Sequence, residues 1–199
     1  MSWITETFDK DYGPFLHYSK RTNRRDGFKI IFSELEKMNK SFYRIVETGT
    51  TRKDPSHKLA WKDGMGTLMF ENFVNYHNGK VDTVDIDLEA CNQCQSLVGS
   101  NVEVHCCDSL DFLKNIKEHI DFYYLDSWDV DRNNPLPSQE HHLKEFKMIE
   151  PNLKNCIVGI DDNFMHGNVD VGKGRLVKKY LSEKNIFPIH DAYQLVYKF

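Results

Sequence analysis

The chain has 199 residues, of which 40% are hydrophobic and 28% are charged. These proportions are those of a globular protein, and they exclude a disordered or fibrous chain. The 26 Lys and Arg residues are outnumbered by 30 Asp and Glu residues, which gives a formal net charge of -4. The overall charge therefore offers no global basic surface for nucleic acid. We interpret the local basic segment at residues 20–25 as a solvated loop or helix face, with a polyanion site as the alternative.

The sequence predicts neither membrane insertion nor export. No apolar run approaches the roughly 20 residues of a membrane span, and residues 1–6 lack the basic and apolar pattern of a signal peptide. The five cysteines are an odd number, which argues against a disulfide framework. We expect a cytoplasmic protein that folds as a single domain over residues 1–199.

The predicted elements begin with a helical extension over residues 1–40. A helix over residues 26–38 is indicated by apolar residues at helical spacing, namely Phe28, Ile31, Phe32 and Leu35. This apolar face can pack on a sheet or cover a site.

From residue 41 onward, strands and helices alternate. The predicted strands span residues 42–47, 81–86, 102–106, 120–125 and 156–160, and the predicted helices span residues 67–76, 88–97, 110–116, 141–150 and 174–184. Strands separated by one helix each imply right-handed crossovers and a parallel sheet between layers of helices. Two further strand-like runs, at 186–189 and 193–197, are separated by only three residues and must pair antiparallel. The predicted fold class is α/β, a Rossmann-like doubly wound sheet that is mostly parallel and ends in an antiparallel hairpin.

Every predicted strand of the parallel sheet ends in at least one carboxylate. These acids are Glu47, then Asp85 and Asp87, Asp108, Asp126 and Asp129, and finally Asp161 and Asp162. Ligands of open α/β sheets bind beyond the carboxyl ends of the strands, and clustered acids repel one another unless a cationic ligand, hydroxyl donors or a metal satisfy them. A nucleoside with a sulfonium and an ammonium group supplies that charge, and Asp85 suits its ribose diol. The alternative is that these acids cap the helices that follow.

The motifs at these strand ends resemble those of a known family. Residues 45–50 (IVETGT) resemble the first motif of class I S-adenosylmethionine-dependent methyltransferases, residues 83–87 (TVDID) their ribose-binding motif, and residues 107–109 (CDS) their adenine-side motif. Residues 124–128 (YLDSW) and 160–163 (IDDN) are similar to the metal-assisted O-methyltransferase branch, which includes catechol O-methyltransferase and the sugar O-methyltransferases of antibiotic pathways. The resemblance covers the α/β part of the chain, at about residues 41–199.

The resemblance implies a set of cofactor-binding residues. Glu47 and Gly49 would lie against the methionine part, Asp85 against the ribose and Asp108 with Ser109 against the adenine, while Asp126 would lie near the methionine amine or a metal. The whole implied set is Glu47, Thr48, Gly49, Thr50, Gly66, Thr67, Asp85, Ile86, Asp108, Ser109 and Asp126.

The sequence departs from the family's first motif after Gly49. Residues 51–63 intervene before Gly66 and Thr67, and we interpret them as an inserted loop from which Arg52 or Trp61 can close over the cofactor. Gly66 and Thr67 would open the next helix and offer backbone N–H groups to a carboxylate.

A hydroxyl acceptor must lose its proton during methyl transfer, which requires a base or a metal. Asp126, Asp162 and Asn163 are the candidate oxygen ligands of Mg²⁺, or they only orient the acceptor. Asp126, Asp162 and His166 are the candidate catalytic residues. The lysine base that metal-dependent relatives carry three positions after the strand-four aspartate is Asp129 in this chain.

The predicted function is S-adenosylmethionine-dependent O-methylation of a small hydroxylated metabolite or sugar, with possible help from magnesium. One alternative is a protein of this fold that binds the cofactor without transferring methyl, or an interaction module. An NAD-dependent oxidoreductase is disfavoured because Gly49 is the only glycine of the dinucleotide motif that follows the first strand. The oligomeric state is not predicted.

Overall fold

A computed structural model describes residues 2–19, 22–57, 60–63 and 65–199 of the chain. The basic segment at residues 20–25 is therefore described only from Thr22 onward, since Lys20 and Arg21 lie outside the described residues. Gly64 and two positions of the predicted 51–63 loop lie outside them as well. In the part of the chain that is described, none of the helices combines the length and apolarity that a bilayer span requires.

The strands, in chain order, are β1 (His17–Ser19), β2 (Thr22–Asn23), β3 (Tyr43–Thr48), β4 (Gly79–Asp85), β5 (Val102–Cys106), β6 (Phe122–Leu125), β7 (Ile157–Ile160), β8 (Met165–His166), β9 (Val169–Asp170), β10 (His190–Asp191) and β11 (Leu195–Lys198). The helices are a π-helix (Ile4–Tyr12), α1 (Gly13–Leu16), α2 (Arg24–Met38), α3 (Gly66–His77), α4 (Leu88–Leu97), α5 (Ser109–Asn115), α6 (Leu136–Ile149) and α7 (Arg175–Ser182), with 3₁₀ turns at Ala60–Asp63 and Glu150–Asn152.

Seven strands form the central sheet in the order β10-β11-β7-β6-β3-β4-β5. The five strands β3 to β7 run parallel, whereas β11 is antiparallel to both β7 and β10. This arrangement confirms the predicted fold class. The hairpin differs in detail, because β10 occupies the predicted link. Phe187 is 67% exposed and Pro188 has no N–H group to donate, so the strand begins only after them.

The core lies in two layers, one on each face of the sheet. Side chains alternate along a strand, so Ile45 of β3 packs with α2 and α3 whereas its neighbour Val46 packs with α5, α6 and α7. The predicted apolar face of the N-terminal extension, including Phe28 and Phe32, is fully buried in the first layer. The extension therefore packs on the sheet.

The order of the strands reverses next to β3. From β3 the chain proceeds outward through β4 and β5 on one side, and through β6 and β7 on the other. Because the five strands are parallel, their carboxyl ends meet at one edge, and the reversal opens a crevice between β3 and its neighbours. This edge is where a ligand site is expected.

Candidate functional site

A cavity of about 370 Å³ opens at the carboxyl ends of β3, β4, β5 and β6. The predicted cofactor residues that line it are Glu47, Gly49, Thr50, Gly66, Asp85, Ile86, Asp108, Ser109 and Asp126. The other two, Thr48 and Thr67, are fully buried. The fold thus brings side chains from five separate segments to one cavity of a size usual for small ligands.

The end of β3 lies against the end of β6, and Gly49 makes this approach possible. Gly49 has a φ of +83°, and its N–H group donates to the carbonyl of Val84 at 2.8 Å. A Cβ atom at this position would lie 2.6 Å from the carbonyl oxygen of Asp126. A side chain is excluded here both by the backbone conformation and by the contact.

Asp85 lies at the end of β4 with its carboxylate held by two backbone donors. The amide of Thr50 donates to Oδ2 at 3.1 Å, and the amide of Asp87 donates to Oδ1 at 2.9 Å. Each carboxylate oxygen can accept more than one hydrogen bond, so this carboxylate is oriented while it still has lone pairs for a ligand in the cavity.

Two of the other strand-end acids cap the helices that follow them, as the alternative interpretation of these acids predicts. Asp87 accepts from the amide of Glu89 at 2.8 Å and caps the start of α4. Asp108 accepts from the amide of Leu110 at 2.8 Å and caps the start of α5. Both also line the cavity. Capping and exposure to a ligand therefore coexist at these strand ends.

Glu47 is the most buried acid of the cavity wall, at 3% exposure. Its Oε2 accepts from the hydroxyls of Thr67 at 2.5 Å and Thr83 at 2.8 Å. Burial raises the pKa of Glu47 to about 8, although the two hydroxyls oppose the shift. A Cβ atom at Gly66 would lie 2.4 Å from Oε1 of Glu47, so Gly66 lets the start of α3 reach this carboxyl group.

Two large apolar side chains face the cavity instead of the core. Ile86 is 74% exposed and Trp128 is 58% exposed, and both line the cavity. Trp128 has a φ of +47°, and Ser138 donates to its carbonyl at 3.0 Å. Exposed apolar residues that line a cavity suit a flat, apolar ligand surface. Sequence reasoning missed Trp128, although its position two residues after a strand-end aspartate was a usable signal.

A buried polar cluster lies behind the cavity wall near α6. Glu145 is fully buried, and its Oε1 accepts from the Ser127 hydroxyl at 2.7 Å and lies 3.3 Å from Nε2 of His141. Nε2 of His141 is also 3.1 Å from the hydroxyl of Ser109. Burial opposes ionisation of Glu145, but the hydrogen bond from His141 helps to lower its pKa to about 2. α6 begins at Leu136, earlier than predicted, so His141 lies in its second turn, on the cavity wall.

The inserted loop contributes Arg52 to the mouth of the cavity. Its guanidinium pairs with both carboxylate oxygens of Asp129, at 3.0 and 3.3 Å. Both residues line the cavity, so the pair connects the segment after β3 with the segment after β6. Trp61 is not part of the wall and stacks instead on Phe15, with ring centroids 5.0 Å apart.

The predicted metal ligands lie in a region that already contains cations. The Nζ atom of Lys173 lies 2.5 Å from Oδ1 of Asp126 and 3.2 Å from Oδ2 of Asp162. The guanidinium of Arg24 lies 3.0 Å from the other oxygen of Asp162. Burial alone would raise the pKa of Asp162, but Lys173 and Arg24 lower it to about 2. Burial and two neighbouring carboxylates raise the pKa of Asp126 to about 8, against the effect of Lys173.

The side chain of Asn163 forms hydrogen bonds to backbone groups. Its amide nitrogen donates to the carbonyls of Ile160 and Asp161, at 2.8 and 3.0 Å, and its Oδ1 accepts from the amide of Gly174 at 2.8 Å. These residues do not fit the predicted magnesium site, because a buried ammonium lies among the carboxylates and the Asn163 oxygen is already used.

His166 is not brought to the cavity. It lies on the β8–β9 hairpin, where it is exposed, and it is not part of the cavity wall. The hairpin turns at Gly167, whose φ is +61°, and pairs only with itself. Sequence proximity to β7 therefore did not place this histidine at the strand end.

Comparison of the fold with solved structures finds methyltransferases. The S-adenosylhomocysteine-bound methyltransferase PaMTH1 of Podospora anserina superposes with a TM-score of 0.56 at 14% identity, over 90% of this chain and 80% of that one. The chain has a methyltransferase fold. A structure described as a pericyclic reaction enzyme superposes with a TM-score of 0.50 at 12% identity, over 87% of this chain and 53% of that one. No protein-family model and no curated protein matches the sequence.

Proposed function

We propose that this methyltransferase-fold protein transfers a methyl group from S-adenosylmethionine to a hydroxyl group of a small molecule. The observation that carries the proposal is the Asp85 carboxylate, which two backbone amides orient toward a cavity at the carboxyl ends of the parallel strands. A ribose diol suits such a carboxylate, since each hydroxyl can donate to one oxygen.

The rest of the cavity is consistent with such a nucleoside. Ile86 and Trp128 offer the apolar surfaces that a purine ring requires. Near the ring, Asp108 and Ser109 supply polar atoms, as the motif resemblance implies. Glu47, Gly49, Thr50 and Gly66 line the part of the cavity proposed to face the methionine, where Gly49 lets the ends of β3 and β6 meet. Thr48 and Thr67, the remaining proposed cofactor residues, are buried behind this wall.

Methyl transfer is an in-line displacement, in which the acceptor oxygen forms a bond to the methyl carbon while the carbon–sulfur bond breaks and its electron pair stays on sulfur. The protein must hold the acceptor in line and remove its proton. Asp126 is the proposed base: it lines the cavity, and burial raises its pKa, which makes its carboxylate a stronger proton acceptor than an ordinary aspartate. Asp162 supports Asp126 indirectly, because it forms an ion pair with Lys173, which in turn pairs with Asp126. The resemblance of residues 124–128 and 160–163 to O-methyltransferases supports a sugar or another hydroxylated metabolite as the acceptor.

The first test is calorimetric titration with S-adenosylhomocysteine of the wild type and of Asp85→Asn. The substitution keeps the size of the side chain and removes its charge. Loss of a charged hydrogen-bond acceptor costs about 1.5–3 kcal/mol, so we expect the affinity to fall roughly 10- to 100-fold. Glu89→Gln on α4, an exposed acid outside the cavity wall, is the matched control and should bind as the wild type does. Absence of binding to the wild type would refute the proposal.

A protein of this fold that binds the nucleoside without transferring methyl is the second candidate. It is favoured by the pairing of Asp126 and Asp162 with Lys173 and Arg24, and by the position of His166 away from the cavity. The two candidates differ in turnover: only the enzyme converts S-adenosylmethionine into S-adenosylhomocysteine when a panel of hydroxylated acceptors is supplied.

A further inference from the structure

A buried lysine lies at the centre of the strand-end carboxylates on the β6 and β7 side. Lys173 is 1% exposed. Its ammonium donates to Oδ1 of Asp126 at 2.5 Å and to the carbonyl oxygen of Asp126 at 3.1 Å, and it lies 3.2 Å from Oδ2 of Asp162. An ammonium group has three donors; two of them form hydrogen bonds to Asp126, and the same ammonium forms an ion pair with Asp162.

The segment around Lys173 is built to bring the backbone close to β7. A Cβ atom at Gly172 would lie 2.7 Å from Cα of Asn163, and one at Gly174 would lie 2.5 Å from a side-chain atom of Leu195. The amide of Lys173 donates to the carbonyl of Asp162 at 3.2 Å. Glycines on both sides of the lysine therefore allow this insertion, and Asn163 holds the segment from the strand side.

The carboxylates themselves are arranged as a cation site would be. One oxygen from each of Asp126, Asp161 and Asp162 lies within 4.8 Å of the others. Three carboxylate oxygens so close together repel strongly unless a cation lies among them. Arg24 pairs with Asp161 at 2.7 Å and with Asp162 at 3.0 Å, which leaves Asp126 and the second oxygen of Asp162 to Lys173.

We propose that the Lys173 ammonium takes the place that a divalent cation would otherwise fill, and that Lys173 is a positioning residue which fixes the Asp126 carboxylate at the cavity wall. Its charge and its hydrogen bonds do for Asp126 what a metal would do, so the site is complete without one. The role of Asp126 in methyl transfer rests on the proposed function, whereas the exclusion of a metal by Lys173 does not.

The test is a titration with Mn²⁺, followed by electron paramagnetic resonance of the free ion, in the absence of any nucleoside. We expect the wild type to bind no Mn²⁺ at this site. Lys173→Met keeps an unbranched side chain and removes the charge, so three carboxylates remain with one guanidinium. This variant should gain one Mn²⁺ site, and adding Asp162→Asn should remove it again.

Two controls separate the proposal from a general effect on the fold. Lys173→Arg keeps a cation and should bind no Mn²⁺. Lys178→Met removes an exposed lysine paired with Asp191 on the surface and should also bind none. A folded Lys173→Met variant that gains no metal site would overturn the proposal.

A measurement on the wild type decides the matter if Lys173→Met fails to fold. The affinity for S-adenosylhomocysteine, measured by calorimetry, should be the same in a chelator and in excess Mg²⁺. A Mg²⁺-dependent gain in affinity would overturn the proposal. If S-adenosylhomocysteine does not bind at all, the proposed function fails, and the Mn²⁺ titration of the wild type still tests the place of Lys173, because Mn²⁺ bound at this site would overturn it.

Discussion

The two sides of the crevice treat their acidic residues differently. On the β3, β4 and β5 side, the carboxylates of Asp85 and Asp108 are held mainly by backbone amides and remain open to the cavity. On the β6 and β7 side, Asp161 and Asp162 are paired with Arg24, and Lys173 is shared between Asp162 and Asp126. The first side is arranged to receive hydrogen bonds from a ligand, whereas most of the charge on the second is neutralised within the protein.

This difference shows that acids at strand ends need not share one role. A carboxylate that accepts only backbone N–H groups keeps its charge and its free lone pairs. A buried carboxylate next to a buried ammonium uses that charge to offset desolvation. Burial and the identity of the partner therefore decide whether a strand-end acid binds a ligand or supports the site.

The largest effect is expected from a substitution that breaks the close contact between the two sides of the crevice. Gly49→Ala places a Cβ atom 2.6 Å from the carbonyl of Asp126, at a φ of +83°. We expect a loss of at least about 1–3 kcal/mol in the free energy of unfolding, together with loss of nucleoside binding. Chemical denaturation and calorimetry measure the two effects.

Gly167→Ala is the matched control for this substitution. Gly167 also has a positive φ, of +61°, but a Cβ atom there would meet nothing within 4 Å. It should cost less stability and leave binding intact. Equal effects of the two substitutions would mean that backbone conformation alone, and not the contact between β3 and β6, requires Gly49.

An effect of intermediate size is expected in the pH dependence of protein stability, and it comes from Glu47 on the β3, β4 and β5 side of the crevice. The pKa of Glu47 is raised from 4.5 to about 8 in the folded protein, so between these values the folded state holds a proton that the unfolded state releases. This contribution to stability is present at low pH and is lost as the pH rises toward about 8. Glu47→Gln should make urea-denaturation midpoints less dependent on pH over this range.

Glu145 is a second buried glutamate, and its pKa is shifted in the opposite direction from that of Glu47. Its pKa is lowered from 4.5 to about 2, so its contribution is present above about 4.5 and is lost as the pH falls toward about 2. Glu145→Gln should therefore change the acid side of the stability profile and leave the interval above it unaltered. A loss of the neutral-pH slope in this variant would contradict the assignment to Glu47.

The smallest effect on stability is expected at the pair that connects the two sides. Arg52→Gln removes an exposed ion pair with Asp129, which should change the free energy of unfolding by less than about 1 kcal/mol. Because the pair lies at the mouth of the cavity, we expect faster dissociation of S-adenosylhomocysteine, measured by stopped-flow tryptophan fluorescence, to which Trp128 in the cavity wall contributes. Lys80→Gln, which removes the exposed pair with Glu103 on the β4–β5 side of the sheet, should leave the dissociation rate unchanged.

Much of the cavity wall was predictable because it follows from chain order. Gly49, Asp85 and Asp108 lie at or just after the ends of predicted strands, and parallel strands bring such positions to one edge. Lys173 was not assigned to a strand end, because it is ten residues beyond Asn163 in the sequence. The chain first forms the β8–β9 hairpin and then brings Lys173 back to the end of β7. Arg24 lies in the extension that matched no motif, and its pairing with Asp161 depends on how α2 packs.

The sequence by itself determined the alternation of strands and helices, the parallel sheet with its antiparallel end, and the acids at the strand ends. These features depend on local apolar periodicity and on chain connectivity, which are readable along the chain. Only the tertiary structure decided which acids are neutralised. That outcome depends on whether Arg24, Lys173 or a backbone amide lies within hydrogen-bond distance of a given carboxylate, and residues so distant in sequence are brought together only by packing.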